Sequence, residues 1–497
     1  MNETTLNNLK SAYNEYLSKL SIGCLRSVGR NCGVAQSTLK KKAELIGDII
    51  AVLTGELAPI EKSNRGAPVK DGYVDPVIFG KLQEIKMTYL TNLPESAPGK
   101  AAESAPVRPN VLELRASDIP EETPAYYEQE VYVGQLETIN GVSCLLPLNG
   151  RENSAEQIIV SASTIKACKL REGDVVSCRA EPHHATLVAT EILTVNELPV
   201  DTPRELFEEC EVCYPQERLS LYAGENSPQS MKYIDWLIPF GKGQRCLISA
   251  PPKTGKTQLL QDFARALSVS HPEMRLLILL IDQSPEAVGE FKKAAPNAEL
   301  IYTTFDDDAD RHVFMADFLL KRAKRFVEAG MDVVLLVDSV CALTRAYNDS
   351  LGEEEKGIRF SCGLKSKALS YIRKYFGSAR CLAEGGSLAI VGTVSFETGN
   401  PIDDLVSCDL LGICNAEIHL DKDMAAKRIF PAIDAETSQT RRSDLLFTEK
   451  EAKMEAAIRR YLSQNGNEVL AERISRTDDP AAFLSTGSKK QRASATE

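Results

Sequence analysis

Residues 246–257 read CLISAPPKTGKT, and this stretch decides the fold. Cys246–Ala250 is an apolar run of strand length, and a helical pattern opens at Thr257 and continues to Ala266. Between them lies Ala250-Pro251-Pro252-Lys253-Thr254-Gly255-Lys256-Thr257. A strand, a glycine-bearing loop and a helix in that order make a phosphate-binding P-loop, here with Ala250 in place of the first glycine. The chemistry accounts for the residue types. Gly255 lets backbone N–H groups approach phosphate oxygens. Lys256 places a cation on the β- and γ-phosphates, and Thr257 offers a hydroxyl to Mg²⁺. The helix adds its positive N-terminal end. Lys253, Thr254 and Gln258 complete the candidate nucleotide-binding set around this loop.

Outward from the loop, strand-like runs at Leu276–Asp282, Val333–Asp338 and Leu388–Thr393 alternate with helical patterns such as Val313–Ala329. Apolar strands separated by helices predict a parallel α/β sheet. Val333-Val334-Leu335-Leu336-Val337-Asp338 is an apolar strand ending in a carboxylate, the form of a Walker B element. Asp338 is therefore a candidate holder of Mg²⁺ or of its water shell, with Thr257 as its partner. ATP and Mg²⁺ are the expected cofactors.

Upstream, residues 128–197 alternate as short strands do. Gly141 makes a turn, and Arg171-Glu172-Gly173-Asp174 makes another. Several short strands in so few residues predict a small OB-like barrel. Residues 61–127 read as a helical segment and a Pro/Ala-rich linker, in which the tetrad ESAP occurs twice, at Glu95–Pro98 and Glu103–Pro106. Residues 1–60 read as a small helical module, with Ser37 as a cap and an amphipathic helix opening at Lys40-Lys41-Lys42. Residues 198–450 form the ATPase core, and 451–497 a C-terminal helical segment with a polar tail.

The 497 residues carry 58 Lys+Arg and 70 Asp+Glu, a net charge of −12. That argues against a chain wholly devoted to coating duplex DNA. Residues 1–50 run the other way, with seven basic and four acidic residues. No apolar run approaches the ~20 residues of a membrane span. The N-terminus has no signal-peptide pattern, and the thirteen cysteines have no framework spacing. A cytoplasmic protein with free thiols is expected.

The strings PFGKGQRCLISAPPKTGKTQLLQ, TTFDDDADRHV, VDSVCALTRAYN, YFGSAR, EGGSLAIVGT and AEIHLDKDMAAKRIFPAID, between Pro239 and Leu446, strongly resemble the bacterial termination factors of the Rho type. KKAELI is similar to a string in that family's SAP-like N-terminal module. The resemblance implies a multidomain α/β chain: a RecA-like P-loop ATPase core preceded by an OB-like barrel and a small helical module. It implies a homo-hexameric ring with single-stranded RNA in its pore, working on RNA polymerase transcription complexes. By the same resemblance Arg441 fits an arginine finger that reaches a neighbouring subunit, and Arg345 a second inter-subunit arginine. Phe430 fits the side chain that stacks on adenine. A rotary-type ATPase subunit shares this core, but the helical unit and the position of the barrel argue against one.

The chain also departs from the family pattern. Gln283 stands where the family has its catalytic Glu, and an amide cannot accept a proton from the attacking water. Glu286, three residues on, is the carboxylate that could substitute through a water. The turn Gly141–Leu145 lacks the barrel's base-stacking aromatic, and Ile159 stands where another is expected. Three acids at Glu353–Glu355 and a proline at Pro401 alter the pore segments. Two readings are open: a termination factor with reduced hydrolysis, or a degenerate paralogue that binds ATP and assembles but acts as a non-catalytic regulator.

Smaller signals read mostly as structure. Cys210 and Cys213 form a CxxC without a second pair at zinc-finger spacing. His183-His184 reads as a turn. Asp306-Asp307-Asp308 reads as an acidic helix start, which the helix dipole favours. Lys365, Lys367, Arg373, Lys374 and Arg380 read equally well as a pore or interface charge and as a solvated helix face.

Overall fold

The computed structural model describes residues 40–54, 131–150, 157–183, 186–224, 227–352 and 359–477, with scattered positions between Lys10 and Val34, Leu57 and Phe483. The repeats at 95–106, the cap at Ser37, His184 and the acids at 353–355 lie outside the described residues. The chain divides into two compact units, 1–123 and 124–497.

In the first unit, α1 (Lys42–Leu53) buries Leu45, Ile46, Ile49 and Ile50. They pack with Tyr13, Leu17, Leu25, Val28 and Val34 in a small core of their own. The helix starts at Lys42, two residues later than the sequence pattern predicts, because Lys41 is still extended. Lys40 pairs with Asp48 at 2.5 Å, and Lys42 donates to the Ser18 carbonyl at 2.8 Å. Part of the basic edge is thus engaged inside the module.

The second unit begins with a barrel. Its strands are β1 (Val131–Ile139), β2 (Val142–Leu146), β3 (Ile158–Ile159), β4 (Val175–His183) and β5 (Thr186–Val195). Antiparallel pairs join β2 to β1, β1 to β4 and β4 to β5, and β3 closes the circuit against β2 and, in parallel, β5. The short helix α2 (Ala162–Ala167) links β3 to β4, and β6 (Leu198–Pro199) extends the sheet beyond β5. The expected turn at Arg171–Asp174 forms. Gly173 has φ +89, and a Cβ there would lie 2.7 Å from Lys321 Cβ. Glycine is required because the barrel turn presses directly on the next layer.

The core continues as β7 (Val212–Cys213), α3 (Gln229–Leu237), β8 (Arg245–Ala250), α4 (Lys256–Ser270), β9 (Arg275–Gln283), α5 (Pro285–Ala294) and β10 (Glu299–Thr304). Next come α6 (Ala309–Glu328), β11 (Asp332–Asp338), α7 (Val340–Ser350), α8 (Ser366–Gly377), β12 (Arg380–Leu382) and β13 (Ser387–Ser395). The chain closes with α9 (Pro401–Leu411), β14 (Ala416–Leu420), α10 (Lys422–Ala426), β15 (Ile433–Thr440) and α11 (Glu449–Ser475). The sheet order is β10-β9-β11-β13-β8-β14-β15, parallel from β10 to β14. The central strands are apolar on both sides because both faces are covered. Leu276, Ile278 and Leu280 enter one core, and Leu277, Leu279 and Ile281 the other.

A buried arginine welds barrel to core. Arg322 on α6 donates to Gln135 Oε1, Glu299 Oε2 and the Leu148 carbonyl, each at 2.7 Å. Gln135 in turn donates to the Phe318 carbonyl at 2.8 Å. All three guanidinium nitrogens have a partner, as a buried charge requires.

Candidate nucleotide site

The parallel strands β8, β11 and β9 end on one edge of the sheet. Register shows it: Ala250 lies beside Ser395, and Asp338 beside Leu280. Loops leaving that edge are where open α/β sheets place ligands.

Ala250 is still within β8 and paired to Ser395, so a Cβ is tolerated there. The left-handed positions of the loop are Lys253, φ 65, and Gly255, φ 99. A Cβ at Gly255 would meet nothing within 4 Å, so backbone conformation, not crowding, calls for glycine. Gly255 also begins α4 without a side-chain cap. The first N–H groups of that helix are left open to an anion.

Lys256 is half-buried, and burial pushes its ammonium below the usual lysine range. It donates to the Pro251 carbonyl at 3.4 Å and has no ion pair among the described residues. A desolvated cation without an ion pair among the described residues, beside open N–H groups, fits a phosphate. Thr257 donates to Asp338 Oδ2 at 2.8 Å, and Thr393 donates to Asp338 Oδ1 at 2.7 Å. A hydroxyl and a carboxylate in contact at the mouth of the loop are the hard oxygen donors that suit Mg²⁺. Thr254 turns inward and donates to the Pro251 carbonyl at 2.8 Å, which braces the loop.

A cavity of about 450 Å³ opens beside the loop, lined among others by Lys253, Gln258, Asp262, Phe430 and Ile433. Phe430 is 54% exposed, an apolar ring lining this cavity. Gln258, a candidate from the sequence, lines the cavity, and sequence reasoning missed its polar partners there: Ser230 donates to Asp262 Oδ2 at 2.5 Å, and Gln258 donates to Oδ1 at 3.2 Å. The four-residue spacing of Gln258 and Asp262 on α4 was the available signal; Ser230 comes from α3 and left none. Thr393 was also missed, although it closes an expected strand.

Gln283 is the last residue of β9, beside Thr304 of β10. It is half-buried. Glu286 sits in the exposed first turn of α5. A hydrogen bond from its own backbone and one from Ser284 hold its carboxyl below the usual range. A stabilised carboxylate is a weaker base. Arg345 on α7 has a partner in its own chain, Asp403 at 2.8 Å, and Asp403 also accepts from Thr398 at 2.9 Å. Arg441 is exposed just beyond β15 and makes no ion pair among the described residues. It lines a separate groove of about 1060 Å³ with Arg245, Arg373, Lys374 and Arg380. Lys365, by contrast, turns inward to the Asn348 and Leu351 carbonyls. Asp308 caps α6 through the Arg311 N–H at 2.8 Å, in keeping with the acidic helix start expected there.

Sequence comparison agrees with this geometry. The transcription termination factor Rho of Akkermansia muciniphila is 34% identical over 445 residues, which span 86% of this chain and 92% of that protein. This chain belongs to the Rho family. The Rho of Allochromatium vinosum is 39% identical over 314 residues, 62% of this chain and 74% of that one. The Rho of Escherichia coli K12 is 37% identical over 318 residues, 63% and 75% respectively. The ATP synthase alpha/beta family, nucleotide-binding domain, matches residues 230–440. Among solved structures, an ATPase of a type III secretion system aligns at 23% identity and a TM-score of 0.46, covering 56% of this chain and 78% of that one.

On the barrel of this Rho-family chain, Ile159 and Ser143 are half-buried, and Cys144 and Leu145 are buried. The barrel's exposed large apolar residues, among those described, are Val131, Val133 and Val142. No helix among the described residues is long and apolar enough to cross a membrane.

Proposed function

We propose that this chain is an ATP-dependent, RNA-binding ring factor of transcription termination whose ATP hydrolysis is slowed by the amide at Gln283. The observation that carries nucleotide use is the Lys256 ammonium, without an ion pair among the described residues, beside the open N-terminus of α4, with Thr257 and Asp338 in contact next to it. Lys253, Lys256 and the loop N–H groups hold the phosphates. Thr257 and Asp338 hold Mg²⁺, which neutralises charge on the phosphate oxygens. Phe430 stacks on the base. Arg441, exposed and without an ion pair among the described residues, reaches the γ-phosphate of a neighbouring subunit in a homo-hexamer. Arg345, tied to Asp403, braces the Thr398–Pro401 segment against the helix after Asp338. Single-stranded RNA and RNA polymerase transcription complexes are the partners the relatives suggest, in the cytoplasm.

Gln283 supports a second reading. Its side chain orients water through hydrogen bonds but removes no proton, and positioned general-base catalysis is worth roughly 10²–10⁴ in rate. In that reading the chain is a nucleotide-held regulator that assembles without turning over. Steady-state ATP hydrolysis with and without poly(C), with ATP binding measured on the same sample, separates the two. RNA-stimulated turnover supports the slowed motor. Tight binding without turnover supports the regulator, and absence of ATP binding overturns both.

A further inference from the structure

We propose that Cys213 and Cys381 form a dithiol site that exchanges with low-molecular-weight disulfides and closes into an intrachain disulfide. The site ties the segment leading out of the barrel to the core sheet. It is independent of the nucleotide chemistry above.

The placement is set by backbone pairing. β7 and β12 run antiparallel with Cys381 directly opposite Cys213 and Leu382 opposite Val212. The Ala383 N–H donates to the Glu211 carbonyl at 2.9 Å. Two residues along such a ladder the pairing repeats, so the cysteines occupy a hydrogen-bonded pair. Opposed Cα atoms in such a pair lie about 5.5 Å apart. A disulfide spans roughly 4.4–6.8 Å between Cα atoms and roughly 3.5–4.5 Å between Cβ atoms. Opposed Cβ atoms lie roughly 4.5–5.5 Å apart, so closure draws the two side chains slightly together. Directly opposed residues share one face of the ribbon, so the two thiols are neighbours. Both point their Sγ at the same acceptor, the Leu382 carbonyl, at 3.8 Å each. Neither residue is fully buried, which leaves a route for a small reagent. Among the described residues no group of three His, Cys, Asp or Glu makes a metal site here, so the pair reads as a dithiol rather than half of a zinc site.

Burial and the neighbouring Cys213 push the Cys381 thiol up to about 12, with Asp332 adding to the rise and Lys242 opposing it. One thiol of the pair ionises and attacks one sulfur of the small disulfide, displacing one thiolate, which takes up a proton. The other thiol then gives up its proton and attacks the sulfur of the first, displacing the second. Two protein thiols are oxidised, and one small disulfide is reduced to two thiols.

β12 pairs with Ser387 and Leu388, the first residues of β13, whereas Ser395 at the other end of β13 lies beside Ala250. The bond would form at the end of the sheet away from the phosphate loop. Closure therefore leaves ATP binding unchanged and restrains the connection between barrel and core.

The test treats the full chain with oxidised glutathione under native conditions, quenches with acid, alkylates and maps peptides by mass spectrometry. The expected product is a Cys213–Cys381 linked peptide that dithiothreitol releases and that Cys213→Ser and Cys381→Ser each abolish. Glutathione adducts on both cysteines without a link would overturn the proposal. So would a link through Cys210, or no reaction while the exposed Cys408 is modified.

Discussion

Strands β8 and β9 run parallel in one sheet and end on the same edge, yet their C-terminal ends differ in kind. The end of β8 carries the parts proposed to cradle phosphate: two left-handed residues, an uncapped helix start and an ammonium without an ion pair among the described residues. The end of β9 carries Gln283, an amide where the family pattern has a carboxylate. The difference teaches that the two requirements are physically separable. Anion binding is spread over backbone N–H groups and a cation, so no single substitution erases its geometry. Proton abstraction rests on one functional group. Glutamine has the shape of glutamate, and at a half-buried strand end the fold is indifferent to the exchange.

The largest expected effect comes from reversing that exchange. Gln283→Glu should raise RNA-stimulated kcat by about 10²–10⁴ and leave ATP affinity as it was. Single-turnover hydrolysis alongside equilibrium binding reads both. Unchanged turnover in an assembled, ATP-binding variant would mean that the end of β9 does not limit the reaction.

Lys256→Ala attacks the other side of the comparison. Losing the cation that would face the phosphates should cost about 3–4 kcal/mol of binding, on the order of 10²–10³ in Kd. The nucleotide-free chain should melt close to the parent, since relief of the desolvated ammonium is offset by the attraction to buried Asp338 that goes with it. Calorimetric titration with ATP and a thermal melt without it check the two halves. Undiminished affinity would overturn the cradle. Phe430→Ala is the milder version: a lost stacking platform should weaken binding by about 1–3 kcal/mol, with hydrolysis at saturating ATP unaffected.

The residues behind these effects differ in how legible they were. The loop, the Asp338 strand and the Asp308 cap could be read locally, because each depends on a few consecutive residues. The parallel sheet could be read too, since strands covered on both faces are apolar throughout. The second grip on Asp338 could not: Thr393 meets it only through the pairing of β11 with β13. Ser230 and Asp262 come together from α3 and α4, and Arg322 and Gln135 from core and barrel. A sequence read alone shows periodicity along the chain, whereas these contacts depend on which strands are neighbours and in what register. Ala250 is the opposite case. It stands in place of the motif's first glycine, and as the last residue of the expected strand, paired to Ser395, it needs no glycine.

The smallest expected effect is also the sharpest check on the end of β9. Glu286 is the nearby carboxylate that could replace the missing base, but its own backbone and Ser284 already stabilise its charged form. Such a group adds stability above its unfolded-state pKa, and that stability is lost as pH falls through the lower folded-state pKa. The Glu286→Gln variant should therefore lose a small contribution to stability at neutral pH, and its deficit should vanish on acidification. Its turnover should match the parent across the neutral range. If Glu286→Gln instead abolishes hydrolysis and removes the acid limb of the rate profile, the carboxylate is acting on water. The amide at Gln283 would then be a relocation of the base by one helical turn rather than its loss.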